Sequence, residues 1–247
     1  MRSARRPALS AAALLAVLLL VGTLATGCAM RIVRGSGEVV EVEVSPEVSA
    51  FRAIDATHSF QVTVERGDGP AVMVEADDNL DEDVIAEVRD ETLHLSVRGG
   101  LTLTDVTLRA TVVVPELDEV VASGAARIEV VDDVAGDVLR AEASGASTVI
   151  ATVEVRELEA RASGASTVRL GGAADTAVLE ADGASTIDAA GLTAGAVDVV
   201  LSGASSADVE VTGALDARLS GSSTLHYLGE PTSIDESVSG ASRLRPG

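Results

Sequence analysis

The stretch Ala143-Ser-Gly-Ala-Ser-Thr-Val149 (ASGASTV) recurs unchanged at residues 162–168, nineteen residues further along the chain. Weaker copies bring the number of such units to seven, with central glycines spaced by 21, 19, 19, 20, 18 and 19 residues. These central glycines are Gly124, Gly145, Gly164, Gly183, Gly203, Gly221 and Gly240. A period near twenty residues over seven units is the pattern of a solenoid.

The residues that flank each glycine alternate between apolar and polar. The positions two before and four after the glycine are apolar in every unit, as in Ala162 and Val168, while Glu159 and Arg161 occupy places between them. A period of two is typical of half-buried strands and disfavours helices. The sequence therefore predicts an all-β fold, a parallel β-solenoid with about 19–20 residues per coil and regular repeats over about 115–247.

The Ser-Gly-Ala-Ser string is interpreted as a corner between strands. Glycine reaches the positive φ of a tight turn at little cost, and serine hydroxyls bond turn backbone. A nucleophilic serine needs a base within reach, but His58, His94 and His226 do not recur with the repeat. A phosphate-binding loop would open a helix, and none is predicted to follow. The seven glycines are predicted to be structural corners, and no catalytic residue, cofactor or metal ligand is predicted.

The first half of the domain is less regular. Segments such as Phe60–Glu65 and Thr92–Val97 alternate like strands, whereas residues 79–88 are expected to form a short helix capped by Asn79. No linker rich in proline or serine separates the halves. We therefore expect one continuous β domain over residues 45–247, with an irregular β N-terminal part.

The N-terminus has the pattern of an export signal. Three arginines in the first six residues precede an apolar run, Ala8–Val21, which is shorter than a membrane-spanning helix requires. The segment Leu24-Ala-Thr-Gly-Cys28 resembles the bacterial lipobox, although Ala25 stands where the consensus has leucine. The resemblance implies that residues 1–27 are a lipoprotein signal peptide and that Cys28 is acylated, for example with palmitate. The alternative is an ordinary secretory signal with an incidental buried cysteine.

The region after Cys28 is expected to be an extended tether over residues 28–44, between the lipid and the domain. Multiple acyl chains give a durable membrane anchor where one gives only marginal binding. Ala29 and Met30 follow the cysteine, and neither is the aspartate that favours inner-membrane retention. The predicted location is the cell envelope, and the outer membrane if the host has two membranes.

Composition excludes some partners. The chain has eighteen arginines and no lysine, and removal of residues 1–27 leaves 15 arginines against 39 carboxylates, a formal charge of −24. Such a surface repels phosphate backbones, so nucleic acid is excluded as a partner. Phe51, Phe60 and Tyr227 are the only aromatic residues, which disfavours recognition of sugars or bases by ring stacking.

The chain resembles the auto-transporter adhesin head GIN domain family of bacterial envelope proteins over roughly Val44 to Arg245. The resemblance rests on Phe51-x-x-Ile54, Phe60-x-Val-x-Val64, Leu93-x-Leu95, the serial Ser-Gly-Ala-Ser units, and Tyr227-x-Gly-x-Pro231 followed by Ser239-Gly-Ala-Ser242. Many members have Ser-Gly-Ser-Gly at the corner, a mild departure. The family resemblance implies a β-solenoid at the envelope and supplies no catalytic residues.

Three functions compete at this point. The first is a non-catalytic, lipid-anchored protein that presents an adhesive or scaffolding surface to an unknown envelope or extracellular ligand. The second is a polysaccharide-binding or polysaccharide-processing β-helix protein. The third is a Ca²⁺-dependent binding module, for which the acidic segment Asp77–Asp83 would supply oxygen ligands. The open ends of a solenoid also expose strand edges through which oligomers can form.

Overall fold

The computed structural model describes residues 31–42, 44 and 50–247. Over these residues the chain forms nineteen strands and one turn of 3-10 helix, Asp81–Asp83. None of the described helical structure is long and apolar enough to cross a membrane. The irregular half contains β1 (Arg31–Arg34), β2 (Val39–Val42), β3 (Ala53–Ala56), β4 (Gln61–Arg66), β5 (Ala71–Asp77), β6 (Val84–Arg89), β7 (Thr92–Val97), β8 (Leu101–Thr104), β9 (Leu108–Val114), β10 (Glu119–Ala122) and β11 (Arg127–Val130).

The second half is built from longer strands that bend around the coil from one corner to the next. They are β12 (Val134–Ala143), β13 (Thr148–Ala162), β14 (Thr167–Ala181), β15 (Thr186–Leu201) and β16 (Ser206–Leu219), followed by the shorter β17 (Thr224–Leu228), β18 (Ser233–Val238) and β19 (Arg243–Pro246). Strands β13 and β14 pair in parallel, with Thr148 opposite Thr167 and Ala162 opposite Ala181. The predicted parallel β-solenoid is confirmed.

The core is a column of small and branched apolar side chains. In the coil that contains β13, seven side chains point inward and each is at most 6% exposed. They are Val149, Ala151, Val153, Val155, Leu158, Ala160 and Ala162. Each coil buries its apolar side chains against those of its neighbours, so stability accumulates along the stack.

The order of coils along the axis differs from the order along the chain. Strands β3 and β4 form one coil, which pairs on one side with β7 and β9 and on the other with β10 and β11. From β3 onward, the chain therefore builds an inner coil first, moves outward to β7 and β9, and then returns to build the regular coils on the opposite side. We call the end that carries β7 and β9 the N-terminal end.

An eighth corner, without glycine, joins β3 to β4. The segment Ala56-Thr-His-Ser-Phe60 takes the place of Ala-Ser-Gly-Ala-Ser, and His58 has φ 60° where the later corners have glycine. The N–H of Ala125 donates to the carbonyl oxygen of His58 at 2.6 Å, as the N–H of Ala146 does to Gly124 at 2.7 Å. His58 therefore belongs to the same column as the glycines.

The helix expected at residues 79–88 is not formed. Only Asp81–Asp83 is helical, and the residues that follow form β6, which pairs antiparallel with β7. Asp90 and Glu91, with φ 50° and 60°, make the two-residue hairpin turn between them. The hairpin covers the N-terminal end with the apolar faces of both strands, and this burial outweighs the helical signal of the acidic segment.

The expected tether is also wrong over its described part, because this segment is hydrogen bonded into the domain. Strand β1 pairs in parallel with β8, and β2 pairs antiparallel with β5. We call the two-stranded sheet of β1 and β8 the ribbon. Its pairing satisfies backbone groups that an extended tether would leave to water.

Candidate binding surface

The seven corner glycines stack into a column, which we call the corner column, and each connects two successive strands. All seven corner glycines have φ between 69° and 79°. A Cβ on Gly164 would lie 2.9 Å from the carbonyl oxygen of Gly145 in the preceding coil. That oxygen already accepts a hydrogen bond from the N–H of Ala165 at 2.7 Å. The glycine is thus required both by its backbone conformation and by the close approach of successive corners.

The serine two positions after the corner glycine faces inward in five of the seven units. Ser147, Ser166, Ser185, Ser205 and Ser223 are at most 2% exposed. The hydroxyl of Ser166 donates to the carbonyl oxygen of Ala143 at 2.9 Å, and Ser147 and Ser185 make the equivalent bond to the preceding coil. These hydroxyls tie adjacent coils together. Sequence reasoning expected them to bond the turn itself, as Ser185 also does to Asp182.

The histidines have other partners. His58 Nδ1 lies 2.8 Å from the hydroxyl of Thr57, His94 lies 3.2 Å from Asp55, and His226 lies 3.3 Å from Asp208. The serines of the column donate to backbone carbonyls instead. The arrangement that a serine nucleophile needs, a hydroxyl directed at a positioned base, is therefore not what the corner column presents.

The outer face of β12–β16 carries a ladder of ion pairs between coils. Arg140 contacts Glu159 at 3.0 Å, Arg161 contacts Glu180 at 2.9 Å, and Arg218 contacts Asp198 at 3.0 Å. The hydrogen bond to Glu180 is the main cause that raises the pKa of the Arg161 guanidinium above its ordinary value. These side chains are between 26% and 55% exposed, so each pair contributes little stability. Their effect is to fix the pattern of charge that the face presents.

A groove of about 570 Å³ runs along the axis beside this ladder. One wall is a row of carboxylates, because Asp198, Asp216 and Asp235 occupy the same register position on adjacent parallel strands. Small residues such as Ala196 and Ala214 line the other side. Arg218 contacts both Asp198, at 3.0 Å, and Asp216, at 2.8 Å, so this wall carries three carboxylates at the strand spacing of about 4.8 Å, two of them paired with one arginine.

The last coil, Ser233–Pro246, leaves one face of the stack uncovered; we call it the terminal coil. Ile234 and Val238, at inward positions, are both 43% exposed. Glu236 pairs with Ala217, which is fully buried, so a carboxylate occupies a position that earlier coils fill with an apolar side chain. An inward charge on an edge strand opposes further strand addition.

The acidic segment Asp77–Asp83 holds the N-terminal segment in place. Asp77 is 1% exposed and accepts hydrogen bonds from the N–H groups of Gly37 at 2.7 Å and Thr107 at 2.6 Å. Asn79, expected as a helix cap, instead donates to the carbonyl oxygen of Arg34 at 2.9 Å. Within the described part of the chain, no group of three or more His, Cys, Asp or Glu side chains is arranged to hold a metal ion.

The family model described as "Putative auto-transporter adhesin, head GIN domain" matches residues 50–231. The chain belongs to this family. The resemblance inferred from the sequence is thereby confirmed, and family membership indicates a cell-surface or envelope protein. Among curated proteins, no relative matches the chain significantly.

Solved structures share the fold of this GIN domain. A "putative adhesin" from Bacteroides fragilis has a TM-score of 0.79 at 22% identity and covers 87% of this chain and 99% of its own. A "putative lipid binding protein" from Parabacteroides distasonis has a TM-score of 0.70 at 18% identity, with 88% and 100% covered. A "putative adhesin" from Parabacteroides merdae has a TM-score of 0.69 at 20% identity, with 88% and 99% covered.

The predicted residues fall into two groups in this GIN domain. The seven corner glycines lie in one column, to which the structure adds His58. Cys28, the predicted lipidation site, lies outside the described residues, as does the signal peptide. Sequence reasoning missed Asp77 as a structural residue and Glu236 as an inward charge, because each depends on a register that the sequence alone does not reveal.

Proposed function

We propose that this GIN-domain protein is a non-catalytic, lipid-anchored binding protein of the bacterial cell envelope, whose solenoid acts as an adhesive or scaffolding surface. The observation that carries the proposal is the use of the repeated serines. Ser166 and its equivalents are buried and bonded to the preceding coil, so the most conspicuous polar residues of the chain maintain the stack. What the solenoid offers to the outside is a periodic, mainly acidic surface.

The proposed ligand is an envelope or extracellular component that matches this surface. The groove beside Asp198, Asp216 and Asp235 presents carboxylates at strand spacing and is open along the axis. A partner with basic groups is the complement of such a row, and it would compete with Arg218 for Asp198 and Asp216. The net charge of the exported chain, −24, disfavours a nucleic acid in this role.

The proposed membrane contact is an acyl group on Cys28. The lipobox-like Leu24–Cys28 supports this part of the proposal, and Ala29 after the cysteine supports the outer membrane as the destination in a host with two membranes. The Parabacteroides distasonis relative is described as a putative lipid binding protein. A covalent lipid at Cys28 is the form of lipid contact that we propose for this chain.

The test is fractionation of cells that express the wild type or Cys28→Ser, combined with labelling by radioactive palmitate. We expect the wild type to be labelled and to sediment with membranes, and Cys28→Ser to lose both properties. Ala29→Ser, which leaves the cysteine in place, is the matched control and should behave like the wild type. Continued sedimentation and labelling of Cys28→Ser would overturn the lipid anchor.

A further inference from the structure

We infer that the N-terminal end of the solenoid lies directly against the membrane, with the ribbon of β1 and β8 facing the lipid and the terminal coil pointing away from it. This inference rests on the proposed acylation of Cys28. It adds an orientation and a membrane-facing surface, which an anchor alone does not specify.

The connection between Cys28 and the ribbon is short. Arg31 begins β1, three residues after Cys28, and its N–H donates to the carbonyl oxygen of Gly100 at 3.2 Å. A fully extended chain spans at most about 3.6 Å per residue, so the Cα atoms of Cys28 and Arg31 are at most ~11 Å apart. An acyl chain inserted at Cys28 therefore brings the start of the ribbon to the lipid headgroups.

The segment that contains β1 cannot move away from the domain without breaking several hydrogen bonds. Beyond the pairing of β1 with β8, Asn79 bonds the carbonyl oxygen of Arg34 and the N–H of Ser36. The buried carboxylate of Asp77 holds the N–H of Gly37. Because the carboxylate is charged, its bonds are among the stronger ones. Because these bonds hold the segment against the domain, the position of the anchor determines the position of the whole solenoid.

The exposed side chains of the ribbon also suit contact with a membrane. Ile32 is 72% exposed, more than any other large apolar side chain in the described part of the chain. Arg31 and Arg34 flank it, with side chains 67% and 77% exposed. An exposed isoleucine between two arginines suits the boundary of a bilayer, where an apolar group enters and long cationic side chains reach the headgroups. Arg31 also contacts Asp83 at 3.7 Å, and Arg34 contacts Asp105 at 3.1 Å, so both arginines are tied to the N-terminal end of the solenoid.

The opposite end of the molecule follows from the strand register. Nine strands stack in one column from β9 at the N-terminal end to β19 in the terminal coil. At about 4.8 Å per step, the terminal coil lies ~40 Å from the coil that carries the ribbon. The groove beside Asp198, Asp216 and Asp235 lies in this distal half. The surface that we propose for ligand binding is thus held away from the lipid.

The absence of tryptophan from the sequence allows a direct test. Ile32→Trp places a single tryptophan in the ribbon, and Ser237→Trp places one on the exposed outer side of β18 in the terminal coil. Both are made in the full acylated chain and reconstituted into vesicles of phosphatidylcholine and phosphatidylglycerol, with or without bromine-labelled acyl chains. Bromine quenches tryptophan fluorescence only at close range.

We expect brominated lipid to remove most of the emission of Ile32→Trp and to leave that of Ser237→Trp unchanged. Equal emission of Ile32→Trp with both lipids, in protein that floats with the vesicles, would overturn the orientation and leave the lipid anchor intact. Quenching of Ser237→Trp to the same extent would also overturn it, since the solenoid would then lie flat. Failure of wild-type protein to float would instead contradict the proposed function.

Discussion

The N–H of Ala125 donates to the carbonyl oxygen of His58 at 2.6 Å, so a histidine holds the place in the corner column that glycine holds in every later coil. At this place His58 adopts the left-handed backbone conformation, with φ 60°, which is unfavourable for a residue that has a Cβ. The hydrogen bond between His58 and the hydroxyl of Thr57, at 2.8 Å, is the local compensation.

His58→Gly is expected to keep the fold and to stabilise it by up to about 1 kcal/mol, because a left-handed residue with a Cβ costs about 1–2 kcal/mol and glycine recovers part of this. The measurement is urea denaturation of the variants, each made in the Cys28→Ser background. His58→Val, with a branched side chain at the same φ, is the opposing variant and should lower stability. A loss of stability in His58→Gly would mean that the bond to Thr57 outweighs the backbone strain.

Gly164→Val is expected to destabilise the solenoid. The backbone alone costs about 1–2 kcal/mol at a φ of 77°, and the new Cβ would also lie 2.9 Å from the carbonyl oxygen of Gly145. The matched control is Ala165→Val, because Ala165 is exposed on the same corner. Thermal unfolding followed by circular dichroism compares the two. Similar melting temperatures for both variants would contradict a special role for the glycine.

Ser166→Ala is expected to lower the free energy of unfolding by about 1 kcal/mol, the usual net value of one hydrogen bond. The loss is limited because the carbonyl oxygen of Ala143 keeps its bond from the N–H of Ser163, at 2.9 Å. Ser163→Ala, at a half-buried position of the same corner, should cost less. Ligand binding should be unchanged in Ser166→Ala. Abolished binding with unaltered stability would show that the column has a functional role.

Glu236→Val is expected to cause end-to-end self-association. The substitution replaces the inward carboxylate of β18 with the kind of side chain found at this position in earlier coils, as in Val199, and so restores an apolar edge. Sedimentation velocity at several protein concentrations should show larger species for this variant.

Asp235→Val is the matched control for that experiment. It removes the same charge from the neighbouring position, but Asp235 pairs with Asp216 on the outer face. It should therefore leave the sedimentation coefficient unchanged. If both variants associate equally, the cause is the loss of net charge and not the opening of the strand edge.

The regular half of the fold was predictable because glycine marks each corner. Once Gly145 and Gly164 are aligned, the spacing of nineteen residues places Val149 opposite Val168 and predicts the register of the whole coil. The alternation of apolar residues then identifies the inward side. Local sequence was sufficient here since each coil contacts mainly the next one in the chain.

The irregular half was harder to predict, because its strands contact residues that are distant in the sequence. His58 turns a corner without glycine, and Asp90 and Glu91 form a hairpin turn without the usual Asn-Gly or Asp-Gly pair. The coil of β3 and β4 pairs with strands on both sides that come later in the chain, so its neighbours are set by distant residues. The role of Asp77 likewise depends on Gly37 and Thr107, which are 40 and 30 residues away.

The constant register of the stacked corners has a consequence for how such proteins can change in length. A duplicated unit, such as the identical stretches at 143–149 and 162–168, adds one coil without altering the corner, the core or the ribbon. In the orientation that we propose, each duplication would raise the terminal coil by about 4.8 Å above the membrane. The length of the solenoid is therefore adjustable in equal steps, by copying a gene segment of about nineteen codons.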